Sequence, residues 1–345
     1  MKRRMFLKAV SGAAGLAVVG VKTVFAKETT DGLPRRVLGR TGVKVSIVGF
    51  PGLGLTRDSQ EDCTKAVHDA FKRGVNYFDV APAYGKDGAC EIKLGIALQG
   101  LDRSRYFLAC KTKMRDKAGA RAELERSLQR LKTDHFDLYQ LHHLVKPEDV
   151  KQALGPGGAM ETVLEAKKEG KVRAIGFSAH TTKAALEALR GFKFDTAMFP
   201  ISYVEYFTRD FGKAVMELAR EKGTALLSIK TMHAGAWPQG AKRTRQWWYR
   251  SLEDQQEINM AWRWTLSLPD VVTGFPPSWL DLVDKAIEAG RTFRPVTDAE
   301  VKKLKEMAAS QGSIFKREED LVAFSEPYDF PYPHHPHDCC VDELA

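Results

Sequence analysis

Short apolar runs alternate with amphipathic helix patterns along most of this chain, and that alternation restricts its fold more than any other feature. The runs are almost continuously apolar, which is typical of strands buried on both faces of a parallel sheet, and the helices between them would form the crossovers. Eight such runs lie between Val45 and Thr273. Eight strand–helix units over roughly 250 residues are typical of a (β/α)8 TIM barrel. We therefore predict an α/β barrel over residues 34–309 and a C-terminal tail over residues 310–345.

An open, doubly wound sheet is the competing architecture. That fold would need a Gly-x-Gly-x-x-Gly turn directly after the first strand and a helix opening from it. Gly49, Gly52 and Gly54 lie in this region, but their spacing differs and no helix pattern follows at once. We interpret these glycines as a loop that follows a small hairpin and a strand at residues 33–48. Residues 233–250, rich in Gly, Arg and Trp, are interpreted as a second loop.

The first 26 residues have the anatomy of an export signal. Arg3 and Arg4 belong to a basic start, an apolar run covers residues 9–21, and small residues lie three and one positions before Lys27. The run is too short to span a bilayer comfortably. The sequence Arg-Arg-Met-Phe-Leu-Lys resembles the twin-arginine motif, which is read by an export machinery.

From this resemblance we expect the twin-arginine export machinery as a partner and cleavage after residue 26. The mature protein would have no stable membrane span and would be periplasmic or otherwise exported. An N-terminal anchor helix is the alternative interpretation of the same residues.

The charge of the mature chain argues against nucleic acid as a partner. The full chain has a net charge of +9, and removing the five basic residues of the signal, which has no acids, leaves +4. Its composition, 43% apolar and 28% charged, is that of a soluble globular protein. Because no long basic run is present, the sequence has no nucleic-acid footprint.

Residues with proton-transfer chemistry close four successive strand patterns. Asp79, Lys111, His142 and Ser178 follow one another at intervals of 31 to 36 residues, each about the length of one strand–helix unit. In a barrel these strand ends share the C-terminal rim, where barrel enzymes have their active sites. Tyr84 lies in the loop that follows Asp79, so the pattern predicts an acid, a lysine, a histidine and a tyrosine around one site.

Residues 74–95 resemble the signature of the aldo-keto reductase family, which is Phe-Asp-Thr-Ala-x-x-Tyr-Gly followed by Glu-x-x-Leu-Gly. The chain reads Phe-Asp-Val-Ala-Pro-Ala-Tyr-Gly, with Val80 in place of the threonine. Residues 36–42, 137–142 and 176–178 are similar to the family's opening and to its fourth- and fifth-strand motifs. The resemblance implies a barrel enzyme that reduces a small carbonyl substrate, an aldehyde or ketone, with NADP(H), NAD(H) not being excluded.

The resemblance implies a catalytic tetrad of Asp79, Tyr84, Lys111 and His142. Tyr84 would protonate the carbonyl oxygen while a hydride arrives from the nicotinamide. A free tyrosine has a pKa near 10, and the Lys111 cation would lower that of Tyr84. Asp79 would pair with Lys111, and His142 would orient the carbonyl group.

The residue pattern alone does not choose between neighbours. Both faces of a barrel strand are buried, so Lys113 competes with Lys111 and His143 competes with His142. Only the family alignment selects one of each pair. Each tetrad residue taken singly also has a structural interpretation, such as a turn cap or a rim aromatic, and it is their joint occurrence that favours a site.

The resemblance also implies where the cofactor binds. Ser178 corresponds to the serine that binds the nicotinamide amide, and Ile229 or Lys230 stands where an aromatic residue would stack on the ring. Gly274 precedes a predicted helix start, and backbone amides near Ser278 could hold a pyrophosphate there.

Other cofactor positions depart from the family pattern. Ala179 replaces a usual asparagine, Met198 replaces a glutamine, and after Gly274 no Arg or Lys occurs before Lys285 to bind a 2′-phosphate. A non-catalytic barrel that binds a nicotinamide or a partner is therefore the alternative function.

The loop after the seventh strand is expected to supply an aromatic substrate pocket. Arg243 and Arg245 in this loop would meet an anionic substrate or remain solvated. About half of the loop's aromatic residues are expected to face the barrel mouth. The candidates are Trp237, Trp247, Trp248 and Tyr249.

The C-terminal tail contains metal-ligand types but no known metal spacing. Residues 332–340 read Tyr-Pro-His-His-Pro-His-Asp-Cys-Cys. A metal-binding redox accessory is one interpretation, and a tail folded over the barrel mouth or without fixed structure is the other. Cys63, Cys90 and Cys110 are predicted to be buried thiols, whereas the disulfide or metal status of Cys339 and Cys340 is open. We assign no metal ligand from the sequence.

Overall fold

Eight parallel strands form the centre of the protein in a computed structural model that describes residues 32–323. All twelve strands of the described residues are β1 (Arg35–Val37), β2 (Lys44–Ser46), β3 (Phe50–Pro51), β4 (Tyr77–Asp79), β5 (Phe107–Thr112), β6 (Phe136–Leu144), β7 (Val172–Ala179), β8 (Thr196–Pro200), β9 (Ala225–Ile229), β10 (His233–Ala236), β11 (Tyr249–Ser251) and β12 (Val271–Gly274). The eight parallel strands are β3 to β9 and β12, and β1–β2 and β10–β11 form two separate hairpins. The helices are α1 (Gln60–Lys72), α2 (Ala89–Ala97), α3 (Lys117–Leu131), α4 (Pro147–Leu154), α5 (Ala159–Lys168), α6 (Thr182–Gly191), α7 (Tyr203–Arg209), α8 (Lys213–Lys222), α9 (Gln255–Ser267), α10 (Leu280–Arg291), α11 (Asp298–Ala309) and α12 (Lys316–Ala323).

The parallel strands follow chain order around the sheet, from β3 through β4 to β9 and then β12. The two ends of the sheet meet where the Gly49 N–H donates to the Gly274 carbonyl at 2.9 Å and the Gly274 N–H donates to the Ile47 carbonyl at 3.1 Å. A parallel bridge between Val48 and Gly274 joins the same segments. Closure removes the two edges that the eight-stranded sheet would otherwise have. The predicted (β/α)8 barrel is confirmed.

A hairpin fills the N-terminal end of the barrel. Strands β1 and β2 pair in antiparallel fashion, which agrees with the hairpin predicted from the sequence. Leu38 and Val45 are fully buried and pack among the side chains that fill the barrel interior. The prediction that Val45 belongs to the first barrel strand is wrong, because that residue is in the hairpin.

The first barrel strand is β3, inside the stretch interpreted above as a loop. Glycine allows this strand to approach its neighbours closely. A Cβ atom on Gly49 would lie 2.2 Å from the Phe275 ring, and one on Gly52 would lie 2.6 Å from the Asp79 carbonyl oxygen. A strand of two residues flanked by glycines has too little apolar periodicity to be found by pattern.

The predicted loop at residues 233–250 is wrong in part, because it contains β10 and most of β11, which pair in antiparallel fashion. Short helices α4 and α7 were also missed, since eight and seven residues give little helical periodicity. Helix α1 begins after Ser59, whose hydroxyl accepts the Asp62 N–H and caps the helix.

The described part of the C-terminal tail packs against the barrel. Phe315 is fully buried, and the Ile314 N–H donates to the Glu205 carboxylate at 2.6 Å. Helix α12 follows these contacts. The remaining tail residues 324–345, and the signal proposed at residues 1–26, lie outside the described residues. Within residues 32–323 no helix has both the length and the apolar character needed to cross a membrane.

Candidate active site

A cleft opens to solvent at the C-terminal rim of the barrel. Asp79, Tyr84 and His142 line it, as do Ser178 and Ser278. Asp79 ends β4, His142 belongs to β6 and Ser178 to β7. In the sheet β6 and β7 are neighbours, and β5 lies between β4 and β6. The barrel therefore brings residues that are far apart in sequence together on the surface of one cleft.

Lys111 connects the acid and the tyrosine from below the cleft. Its side chain on β5 is fully buried, and its ammonium donates to the Asp79 carboxylate, to the Tyr84 hydroxyl at 3.2 Å and to the Val80 carbonyl at 3.4 Å. An ammonium has three donors, and these three acceptors satisfy them. The structure brings Lys111 to Tyr84, whereas the backbone N–H of Lys113 donates to the Glu123 carboxylate.

Burial and charge shift the pKa values of Asp79 and Lys111 in opposite directions. Burial raises the pKa of Asp79, and the Lys111 charge and a hydrogen bond from Gln140 limit that rise. Burial alone would lower the pKa of Lys111, but the Asp79 and Tyr84 partners outweigh it and hold the pKa of Lys111 above its ordinary value. Lys111 is therefore a cation at neutral pH, with its charge next to the phenol oxygen.

His142 faces Tyr84 across the cleft. The two rings are nearly perpendicular at 84°, with centroids 5.5 Å apart. Burial, reinforced by the Lys111 charge, lowers the pKa of His142 well below its ordinary value, so the imidazole is neutral. His143 has a positive φ of 57°, and its ring packs against His180 rather than Tyr84. The sequence could not decide between His142 and His143. The backbone conformation of His143 decides it, because it places the ring of His142, and not that of His143, next to Tyr84.

Gln140 is a buried member of the site that sequence reasoning missed. Its amide Nε2 donates to the Asp79 carboxylate at 3.3 Å. The signal was present, because Gln140 lies two residues before His142 on one strand and alternate strand residues share a face. Gln140 orients Asp79 from the side opposite Lys111.

The residues predicted to hold a cofactor lie around the same cleft. Ser178, Ile229, Lys230 and Ser278 line it, whereas Gly274 lies at the end of β12, where it closes the barrel. The Ser178 hydroxyl accepts the backbone N–H of His143 at 2.8 Å, an interaction the sequence does not reveal. Met198, named above at a cofactor position, also lines the cleft, as do His180, Tyr249 and Phe275, which no cofactor prediction contained.

This donor set fits a nicotinamide nucleotide. Ser178 offers a hydroxyl for an amide, while Tyr249 and Phe275 offer apolar ring faces. Helix α10 begins just beyond Ser278, and no side chain caps its first turn, so its amides can meet a phosphate. Tyr249 reaches the cleft from hairpin β10–β11, so it offers an aromatic ring where β9 has none.

The two loop arginines differ in their surroundings. Arg245 forms ion pairs with Glu253 at 2.6 Å and with Asp281 at 2.6 Å, whereas Arg243 is exposed. Arg57, which lies outside that loop, is at the Ser278 edge of the cleft. Its guanidinium stacks over Trp279 at 4.0 Å and donates to the Ser278 carbonyl at 3.3 Å.

His233 anchors the hairpin that carries Tyr249. Its Nδ1 accepts the Gly235 N–H at 3.1 Å, so Nε2 carries the ring proton and donates to the Ser202 hydroxyl. Burial, reinforced by the Lys230 charge, lowers the pKa of His233 to about 3. The folded chain therefore holds this histidine in its neutral form.

This low pKa predicts acid destabilisation. Below pH about 6.5 His233 is protonated in the unfolded chain but stays neutral in the folded chain. The free energy of unfolding should therefore fall by about 1.4 kcal/mol per pH unit from this group as pH drops from about 6.5 towards 3, with no such loss above pH 7. Urea unfolding of His233→Gln between pH 4 and 8 should show a smaller dependence of the unfolding free energy on pH. The slope below pH about 6.5 should fall by about 1.4 kcal/mol per pH unit, the contribution of one proton. His68→Gln, at an exposed histidine, is the control; equal slopes for wild type and His233→Gln would contradict the assignment.

The geometry provides a proton donor beside a fixed positive charge in a cleft with apolar walls. Tyr84 can give its proton to an acceptor in the cleft, and Lys111 stabilises the phenolate left behind. His142 can hydrogen-bond the same acceptor from the facing wall. Such an arrangement suits protonation of an oxygen that gains negative charge.

Comparison with known proteins places most of the chain in one family. The model of the Aldo/keto reductase family matches residues 47–312. A protein named Probable aldo-keto reductase 1 from Glycine max is 29% identical over 218 residues, covering 57% of this chain and 59% of that protein. L-galactose dehydrogenase from Arabidopsis thaliana is 29% identical over 216 residues, covering 58% of this chain and 66% of that protein. The matched stretches thus span less than two thirds of either relative.

A solved structure supports the fold. An aldo-keto reductase from Bacillus halodurans in its holo form has a TM-score of 0.65 and 22% sequence identity, covering 83% of this chain and 100% of that chain. At this identity the likeness concerns the barrel and not its substrate.

Proposed function

Because this chain belongs to the aldo/keto reductase family, we propose that it reduces a small aldehyde or ketone to an alcohol with a nicotinamide cofactor. The observation that carries the proposal is the Tyr84 hydroxyl, 3.2 Å from the buried Lys111 ammonium at the floor of the cleft. When bound, the cofactor supplies the hydride that reaches the carbonyl carbon. Every other step belongs to the protein's own side chains.

The side chains bind and protonate the carbonyl oxygen. His142 donates a hydrogen bond that holds the oxygen near Tyr84, and Tyr84 transfers its phenolic proton to it as negative charge develops. Lys111 stabilises the resulting phenolate, while Asp79 holds the ammonium in place. The carbonyl carbon gains the hydride and the oxygen gains the proton, so the product is the alcohol.

We propose NADPH as the preferred cofactor. Support comes from Arg57, whose guanidinium lies at the Ser278 edge of the cleft, where it can meet a 2′-phosphate. The absence of a basic residue between Gly274 and Lys285 is the argument for NADH, which is therefore tested in parallel.

The test is cofactor binding followed by turnover. The mature chain is titrated with NADPH and NADH while its tryptophan fluorescence is followed, and NADPH oxidation is then measured with a reactive test aldehyde. An aldose belongs in the substrate panel, because one relative is named L-galactose dehydrogenase. We expect tighter binding of NADPH and Tyr84-dependent oxidation. Binding without turnover on the whole panel would favour a non-catalytic barrel, and no binding of either nucleotide would exclude the proposed reaction.

We propose in addition that residues 1–26 are a twin-arginine signal and that the mature protein is exported to the periplasm. The Arg3-Arg4 pair, the apolar run and the small residues before Lys27 support this. Fractionation of cells expressing the full chain should recover a periplasmic protein that begins at Lys27. The Arg3→Lys/Arg4→Lys variant should stay uncleaved in the cytoplasm. Uncleaved wild-type protein in the cytoplasm would refute the proposal.

A further inference from the structure

A cluster of two imidazoles and one carboxylate is buried behind the cleft. His143, His180 and Glu318 each offer a ligand atom, and these atoms all lie within 4.8 Å of one another. The exposed fractions of the three residues are 5%, 1% and 6%. They come from three separate elements: the end of β6, the loop after β7, and α12. None of the three carries the proton-transfer chemistry described above.

The surrounding backbone fixes the direction of each ligand. His143 has the left-handed φ of 57° that turns its ring away from Tyr84, and its N–H is held by the Ser178 hydroxyl. The His180 N–H donates to the Leu144 carbonyl at 3.0 Å. The two imidazole rings are nearly perpendicular at 83°, with centroids 4.5 Å apart, so the edge of one ring meets the face of the other. Each ring still offers a nitrogen within 4.8 Å of the other two ligand atoms.

The C-terminal segment delivers the third ligand. Phe315 is buried against the His180 ring at a centroid distance of 5.8 Å, and helix α12 begins at the next residue. This places Glu318 in the first turn of the helix, over the two histidines. A buried carboxylate is costly unless a cation or several hydrogen-bond donors stabilise it.

We propose that His143, His180 and Glu318 bind one divalent transition-metal ion, Zn²⁺ in the first instance. Two histidine nitrogens and one carboxylate oxygen form a set that zinc accepts, with water in the fourth position. Ligand atoms bound to tetrahedral zinc are about 3.3 Å apart, so rotations that bring these side-chain atoms closer by up to about 1.5 Å would complete the site. The ion fastens α12 across the rim at the wall of the cleft, which His180 also lines.

The tail contains competing ligands that the experiment must separate. His334, His335, His337, Cys339 and Cys340 lie outside the described residues. The mature full-length chain is therefore compared with a tail variant in which these histidines become alanine and these cysteines become serine. Two cluster variants, Glu318→Gln and His143→Asn, remove single ligands; asparagine tolerates the left-handed backbone at residue 143. Glu319→Gln, on the same helix, is the matched control, because Glu319 instead accepts the Thr182 N–H.

The measurement is metal content after loading with Zn²⁺ and removal of free ion by gel filtration, with circular dichroism to verify folding. We expect the tail variant and Glu319→Gln to retain about one zinc per chain that Glu318→Gln and His143→Asn lose. Zinc should also raise the Tm of the tail variant but not that of a tail variant that carries Glu318→Gln in addition. No retained zinc in the tail variant would overturn the proposal, since the cluster would then be a hydrogen-bonded network. Undiminished zinc when Glu318→Gln is added to the tail variant would overturn it as well.

Should the cluster variants fold poorly, Co²⁺ provides a second test on the tail variant alone. Co²⁺ in a four-coordinate site of nitrogen and oxygen ligands gives visible absorption bands. One equivalent of Zn²⁺ should displace the cobalt and remove these bands. Absence of bands at one equivalent of Co²⁺ would count against the site.

Discussion

Replacing Tyr84 with phenylalanine is expected to lower kcat for carbonyl reduction by about 10²- to 10⁴-fold, the range for loss of a general acid. The ring stays in place, and only the hydroxyl that contacts Lys111 at 3.2 Å is removed. NADPH affinity should therefore change little. The measurement is NADPH oxidation with the test aldehyde, together with a fluorescence titration of the cofactor.

Tyr249→Phe is the matched control for this substitution. Tyr249 lines the same cleft, but its contacts include the Lys230 side chain over its ring rather than Lys111. We expect its kcat to fall less than about tenfold, because it donates no proton in the proposed reaction. If Tyr84→Phe kept near wild-type kcat, another group would be the acid; equal losses in both variants would indicate damage to the cleft instead.

The sequence predicted the barrel because the signal for it is repeated. Each of several units combined a buried apolar strand with a helix, so an error in one unit did not change the predicted fold. The catalytic candidates were found for a related reason: Asp79, Lys111 and His142 occur at regular intervals, and closure of the sheet turns equal spacing into proximity. A wrong assignment of the first strand moved none of them.

Features that depend on backbone direction or on distant contacts could not be predicted in this way. The sequence cannot show that His143 adopts a φ of 57°, yet that angle separates it from His142. Tyr249 reaches the cleft only because β11 pairs with β10 across a long connection. Glu318 meets two histidines more than 130 residues earlier in the chain through the return of α12. None of these features leaves a periodic pattern of apolar residues in the sequence.

The Asp79–Lys111 pair is expected to produce the largest change in stability. Lys111→Met removes the cation and leaves the Asp79 carboxylate buried, and Asp79→Asn leaves the ammonium without its counter-charge. Breaking a buried ion pair from one side costs about 3–5 kcal/mol of unfolding free energy. Because burial already raises the pKa of Asp79, protonation of this acid should limit the cost of Lys111→Met at lower pH.

The double variant Asp79→Asn/Lys111→Met separates folding from catalysis. With both charges gone, no uncompensated ion remains, so the double variant should be more stable than the sum of the single losses implies, with a coupling of about 1–3 kcal/mol in urea unfolding. Its reductase activity should stay as low as that of Lys111→Met, because Tyr84 has lost the adjacent cation. Strict additivity would mean that the pair is not coupled in the folded chain. Recovery of activity together with stability would mean that Lys111 acts on folding alone, and the proposed proton transfer would need another source of positive charge.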